Sequence, residues 1–352
     1  MAESTTQERQ QGWLQVTGFT WLLWLATLVV FSLSGCGSRT VQQPVSDALT
    51  HSGAACHSIQ HRLGVTRACE PLQEVVALDP HALDLLLTLG IQPVGYAEDR
   101  RALVGSPNSG EPTVQIKYLG DRLTRSPIHV GTWQSPSLET ILKLKPDLIL
   151  GRIQPSLYAT LSQIAPTLPL AWVEQSRWQD SLLTLGKVMH REAHAQKAIE
   201  HHQQQIAIAR TDLKSVAQRS KVLLLAMSAM NQIEIFTGDT YAGDLLRQLG
   251  FQLVIPEDLS VQQRGINISL ETLPQLQPDL IIVMASGNSS VEDIAQTWWN
   301  NAILRSLPAS QTQRVYFVDY QLWSRIEGPI AAELILNQIR TLLRAPKTEA
   351  NA

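Results

Sequence analysis

Along this chain, short uninterrupted apolar runs alternate with stretches whose apolar positions recur every three or four residues. VVALD (75–79), PDLILGR, KVLLLAMSA (221–229), IIVMASGN and VYFVD are runs of the first kind. Their length and flanking turn residues predict buried strands. Leu83, Leu86, Leu87 and Leu89 follow Pro80 at helical spacing and stop at Gly90, which predicts a helix between VVALD and the short strand QPVGYA. Strand–helix–strand alternation of this sort is the unit of an α/β sheet.

The pattern occurs twice. SLETILKLKPDLIL (137–150) and SLETLPQLQPDLII (269–282) share nine of fourteen residues. Each begins with a Ser suited to cap a helix and an acid in the first turn, and each ends in a Pro-Asp break and an apolar run. DPHALDLLLTLGIQPV (79–94) and DTYAGDLLRQLGFQLV (239–254) form a second pair in the same order. Two motifs repeated in register imply two lobes of one design. Pro274 falls inside the second SLET helix and predicts a single turn or 3₁₀ segment there.

Between the lobes, no proline occurs from Pro169 to Pro256, and residues 178–217 are dominated by helix formers. This predicts a connecting helix over 177–218, long enough to cross a domain and act as a stiff strut. The expected organisation is a leader over 1–35, a tether with the cysteine segment over 36–70 and a first lobe over 71–176. The connecting helix, a second lobe over 219–344 and a tail over 345–352 follow. The first lobe is 28 residues longer between its two motifs than the second. The excess falls mostly in 98–130, with Arg100, Arg101, Lys117, Arg122 and Arg125 as cations able to face a ligand or solvent.

Composition adds the compartment. The chain of 352 residues is 44% hydrophobic and 17% charged with a formal charge of −3, and no basic run points to nucleic acid. No charged residue lies between Arg9 and Arg39, and the apolar FTWLLWLATLVVFSL leads into Leu33-Ser34-Gly35-Cys36. Small residues closing an apolar segment before Cys resemble a bacterial lipobox, which makes Cys36 the lipidated N-terminus of the mature chain. An uncleaved transmembrane anchor is the rival, since the run is long enough to span and the leading segment has few cations. Either reading tethers the remainder outside the cytoplasm. Cys56 and Cys69, an even pair in an oxidising compartment, are read as a disulfide. A metal site there would want more ligands than His57 and His61 supply.

Taken together, these landmarks resemble the lipoprotein receptors of ABC importers for ferric siderophores and cobalamin. VVALDPHALDLLLTLGIQPVGYA, VGTWQSPSLETILKLKPDLILG, ISLETLPQLQPDLIIV and WWNNAILRSLPASQTQRVYFVDYQLWSRIEGPIAAELIL carry the resemblance over about 75–340. It implies two Rossmann-like α/β lobes joined by one rigid helix, with the ligand in the cleft between them. It further implies a monomer whose Glu139 and Glu271, one per lobe, dock on a permease dimer. The ligand would be a ferric siderophore, with cobalamin or haem as alternatives, and no cofactor is expected. Hydroxamate-binding members carry an arginine where this chain has Trp133, and family members usually read Gly-Arg-Gly-Pro where this chain has Arg325-Ile326-Glu327-Gly328-Pro329.

Open α/β sheets bind ligands at the carboxyl ends of their strands. The residues placed there are His81, Trp133, Arg152, Met230, Asn231, Tyr241, Trp323 and Arg325, aromatic walls and cations suited to a bulky anionic chelate. His190 and His194 share a helix face with metal-ligand spacing but lie with His201 and His202 among polar residues, so they read as a solvated face. His81 and His129 are the cleft candidates for a directly bound metal ion, and no metal site is expected. No GxSxG, HExxH or phosphate-cradling GxGxxG motif supports an enzyme.

Overall fold

A hairpin, Cys56–His61 (β1) and Gly64–Cys69 (β2), precedes the first sheet, and the expected Cys56–Cys69 disulfide joins residues directly opposite one another in its register. In this computed structural model the described residues are 55–98, 108–112, 116–170, 177–228, 232–256 and 265–344, and they belong to one compact unit. The leader, Cys36, Met230, Asn231, Arg100 and Arg101 lie outside the described residues.

Val75–Ala77 (β3), Gly95–Glu98 (β4), Ile128–Thr132 (β5), Ser135–Pro136 (β6), Leu148–Gly151 (β7) and Thr167–Pro169 (β8) form the first sheet, in the order β6-β5-β4-β3-β7-β8. All neighbours are parallel except β5 and β6. Pro80–Thr88 (α1), Leu138–Leu144 (α2) and Pro155–Ile164 (α3) connect these strands. The Asp79 carboxylate caps α1 by accepting from the Ala82 amide at 2.7 Å, and the Ser137 hydroxyl caps α2 through the Thr140 amide.

Trp178–Val188 (α4) and Glu192–Ala217 (α5) follow. The helical stretch expected over 177–218 is therefore two helices, with a corner at Met189-His190-Arg191. No breaker in the sequence marks it. The corner forms because α4 buries Trp178, Leu182, Leu185 and Val188 while α5 buries Ala195 and Ile199 in the same core. Gly186 allows the two helices to approach, since a Cβ there would stand 2.9 Å from that of Ala195. His190 takes up the reversal in the left-handed region, at φ 51°. The 26-residue α5 spans about 39 Å and is the connecting strut.

Lys221–Met227 (β9), Ile233–Phe236 (β10), Gln252–Leu253 (β11), Gly265–Ile268 (β12), Leu280–Ala285 (β13) and Val315–Asp319 (β14) make the second sheet. Its order is β12-β10-β9-β13-β14, with β11 beside the start of β9. β13 runs parallel to β9 and β14, whereas β10 is antiparallel to both its neighbours. The helices are Tyr241–Gln248 (α6), Leu273–Leu276 (α7), Val291–Asn300 (α8), Ala302–Ser306 (α9), Pro308–Gln311 (α10) and Pro329–Arg344 (α11). A π-helical turn, Leu322–Ile326, leads into α11.

The repeat is visible atom by atom. Lys145 and Gln277, each just before Pro-Asp, adopt φ of 47° and 43° and end their helices alike. Beyond each proline, an Asp side chain holds the start of a neighbouring strand segment: Asp147 accepts from the Gln73 and Glu74 amides, and Asp279 from the Lys221 amide. The second SLET copy is a 3₁₀ turn, Leu270–Thr272, followed by one α turn, as Pro274 predicts.

Alternation along the strands explains the layers. Val75, Ala77, Leu148 and Leu150 face one core with Val222, Leu224 and Ala226, while Val76, Ile149, Leu223 and Leu225 face two outer cores. The shared core also takes in α1, α4, α5 and α11, so the inner faces of both sheets are parts of one apolar mass.

Candidate ligand site between the carboxyl edges

The parallel strands of the first sheet bring Trp133, Glu98, Asp79 and Arg152 to one edge, Glu98 as the last residue of β4 and the others beyond β5, β3 and β7 respectively. Asp79 is 3% exposed and joins two of these ends, because its carboxylate caps α1 and also accepts the Arg152 amide. A glycine is needed beside it. Gly151 has φ +145°, and a Cβ would meet an Asp79 oxygen and Leu78 at 3.0 Å.

From the second sheet, the segment after β14 reaches this edge. Arg152 Nη2 donates to Glu327 Oε2 at 2.8 Å, with both side chains about a quarter exposed. His81 Nδ1 lies 3.2 Å from the Ile326 carbonyl oxygen, and the Tyr241 hydroxyl donates to the Gly328 carbonyl. Burial, with Asp84 and Glu327 nearby, holds the Tyr241 hydroxyl protonated by raising its pKa well above the usual value. Glu327 sits at φ 55°, the left-handed conformation that turns the chain from the π-helical segment into α11. Deeper in, Asp84 is fully buried and accepts the Ile330 and Ala331 amides at 3.1 and 2.9 Å. Burial pushes its carboxyl up to about 7, outweighing these hydrogen bonds, that from Thr88 and the charge of Arg122. Lys117 pairs with Asp319, and Arg122 with Glu333 at 3.5 Å.

The candidate ligand residues thus divide. Arg152, His81 and Tyr241 meet at the seam around Ile326-Glu327-Gly328. Trp133 is half-buried at the same sheet edge, with its amide 3.4 Å from the Glu98 carbonyl. Arg325 lies over the Tyr320 ring at 4.8 Å. Trp323 departs from its expected place. It is 0% exposed, donates from Nε1 to Gln338 and packs in the shared core, because the π-helical turn points it inward. His129 is also buried, which lowers its pKa.

Two carboxylates at the seam were not singled out from sequence as ligand-site residues. Glu98 is 8% exposed and accepts from Tyr96 Oη at 2.9 Å, and Glu327 occupies the guanidinium expected to meet the ligand. For Glu327, only the pairing across lobes gives it meaning. A concavity of about 190 Å³ between α1, α5 and α11, beside Arg122, His202 and Glu333, is smaller than a drug-sized ligand needs and lies apart from Arg152 and Trp133.

Glu139 and Glu271 are exposed at equivalent places in the two SLET copies. The Lys143 ammonium, 2.7 Å from Glu139, lowers that carboxyl's pKa. Hydrogen bonds from its own amide and from Ser269 lower that of Glu271.

Two α/β sheets whose carboxyl edges meet across one rigid strut define a two-lobed, cleft-type binding protein. The chain belongs to the periplasmic binding protein family, whose profile matches residues 75–322. It is 28% identical over 321 residues to the Fe(3+)-citrate-binding protein YfmC of Bacillus subtilis, covering 89% of this chain and 92% of that one. Identity to the Fe(3+) dicitrate-binding periplasmic protein FecB of Escherichia coli is 28% over 291 residues, covering 82% of this chain and 89% of that one. The crystal structure of Staphylococcus aureus SirA complexed with staphyloferrin B superposes with a TM-score of 0.68 at 26% identity, covering 83% of this chain and all of that one.

Proposed function

We propose that this protein is a membrane-anchored, extracytoplasmic receptor that captures a ferric siderophore or related ferric chelate and delivers it to an ABC importer. The observation that carries the reading is Arg152 at the carboxyl edge of the first sheet, held by a carboxylate from the second lobe. A guanidinium that pairs with Glu327 suits a ligand bearing carboxylates of its own, which would exchange with that side chain. Similarity to two ferric-citrate-binding proteins along most of the chain supports the same ligand class. Trp133 supplies a wall for stacking, and His81 and Tyr241 shape the seam. Met230, Asn231 and Arg325 complete the proposed lining, and the iron stays wrapped in its chelator, so the protein supplies no iron ligand.

In this reading Cys36 carries the lipid, the chain works as a monomer, and Glu139 and Glu271 dock on a permease dimer. A named lipoprotein relative, YhfQ of Bacillus subtilis, supports the anchor. The receptor performs no turnover. The test is a tryptophan-fluorescence titration with ferric citrate, hydroxamate and catecholate ferric siderophores, cobalamin and haem. Saturable quenching by a carboxylate-bearing ferric chelate is expected, weakened about tenfold or more in Arg152→Ala by loss of a charge-assisted hydrogen bond. Quenching by cobalamin or haem alone would overturn the ligand class.

A further inference from the structure

The base of the first lobe, opposite the carboxyl edges, holds a constellation that the receptor reading does not use. His57 follows Cys56 on β1, and Glu70 follows Cys69 at the end of β2. Because strand side chains alternate, His57 points to the face opposite the disulfide. His190, at the corner between α4 and α5, reaches the same place: its ring lies 5.3 Å from that of His57, and its Nε2 contacts the Glu70 carboxylate. One ligand atom from each of the three lies within 4.8 Å of the others.

We propose that His57, Glu70 and His190 bind a divalent transition-metal ion of the zinc class, tying the disulfide-closed hairpin to the head of the connecting helix. Two imidazoles and a carboxylate are the donor set of open tetrahedral zinc sites, with a fourth position left for water. Bonds of about 2.0–2.1 Å place tetrahedral ligand atoms roughly 3.4 Å apart, so an ion entering here would part the closer His190–Glu70 contact and set all three ligand atoms, now within 4.8 Å, at that spacing. A second observation agrees: His57 Nε2 is shielded from solvent with no hydrogen-bond partner among the described residues, the state of a nitrogen whose lone pair awaits an acceptor of electrons. Moreover, His190 holds a left-handed backbone that non-glycine residues adopt at a cost, and that conformation is what presents its ring. Glu70 also immediately precedes the run into β3, so the site lies at the opposite end of that strand from Asp79 and the ligand seam.

The test is calorimetric titration of the full-length, untagged chain in detergent with Zn²⁺ after chelator treatment, with Co²⁺ absorption as a reporter of tetrahedral nitrogen and oxygen ligation. One ion per chain is expected. In His57→Ala and His190→Asn the affinity should fall about 100-fold, at the upper end of what loss of outer-shell support alone costs. His194→Ala, an exposed histidine one turn along, should leave it unchanged. Asn tolerates the left-handed backbone and His190 is exposed, so His190→Asn carries the test if His57→Ala fails to fold. Zn²⁺ should also raise the Tm of the wild type and not of His190→Asn. No binding, or equal binding in wild type and both variants, would mean a hydrogen-bonded cluster only. Ferric-chelate titrations of the same variants should match the wild type, so this inference and the receptor reading fail separately.

Discussion

Asp84 and Asp244 hold the same place in the two copies of the Asp-Leu-Leu motif and end in different chemistry. Asp244 pairs with Arg247 at 2.8 Å on an exposed helix face, whereas Asp84 is fully buried against the first turn of α11. With its pKa raised from 3.8 to about 7, Asp84 keeps a proton in the folded chain that the unfolded chain releases. Its contribution to stability is therefore full below about pH 4 and is lost as pH rises toward 7, by as much as about 4 kcal/mol. Urea denaturation of wild type and Asp84→Asn from pH 4 to 8 should show that slope in the wild type alone; parallel profiles would refute the assignment. Arg152 and Glu327 give a second prediction at this scale. If an anionic chelate must displace Glu327, Glu327→Gln should tighten its binding about 5- to 10-fold, the worth of roughly 1 kcal/mol of partly desolvated ion pair. Weaker binding in the same titration would instead make Glu327 a ligand contact.

At the scale of elements, the caps and breaks were legible and the corner was not. Gly90 and Gly250 end α1 and α6 in left-handed conformations, at φ 75° and 92°, as a glycine after a helical stretch leads one to expect. The Met-His-Arg corner carries no such mark, because it is set by how closely α4 and α5 pack. Gly186→Val should overpack that contact and destabilise the chain by about 1–3 kcal/mol in chemical denaturation. Adding Ala195→Gly should recover much of the loss, since the two positions meet. Additive losses would show that the corner does not depend on this approach.

For the whole molecule, one apolar core reaches from the first sheet through α5 and α11 to the second. Opening the lobes widely would expose part of that core, so the seam is expected to open by small motions. Glu139 and Glu271 stand outside it, charged and exposed. Reversing both to arginine should leave chelate affinity unchanged while abolishing ATP-driven uptake through the permease, measured with radiolabelled iron. Undiminished uptake in the double variant would remove these residues from docking.

By itself, the sequence determined the repeat, the α/β class, the apolar runs that become β3, β7, β9, β13 and β14, and the disulfide. These depend on local periodicity, on caps and on compartment chemistry, which neighbouring residues express. Only the tertiary structure decided that Trp323 is core, that Arg152 meets Glu327, that Asp84 holds α11, and that His190 stands beside His57 and Glu70. Each of these joins residues far apart in the chain. Their partners are chosen by how packed elements meet, and no local pattern records that choice.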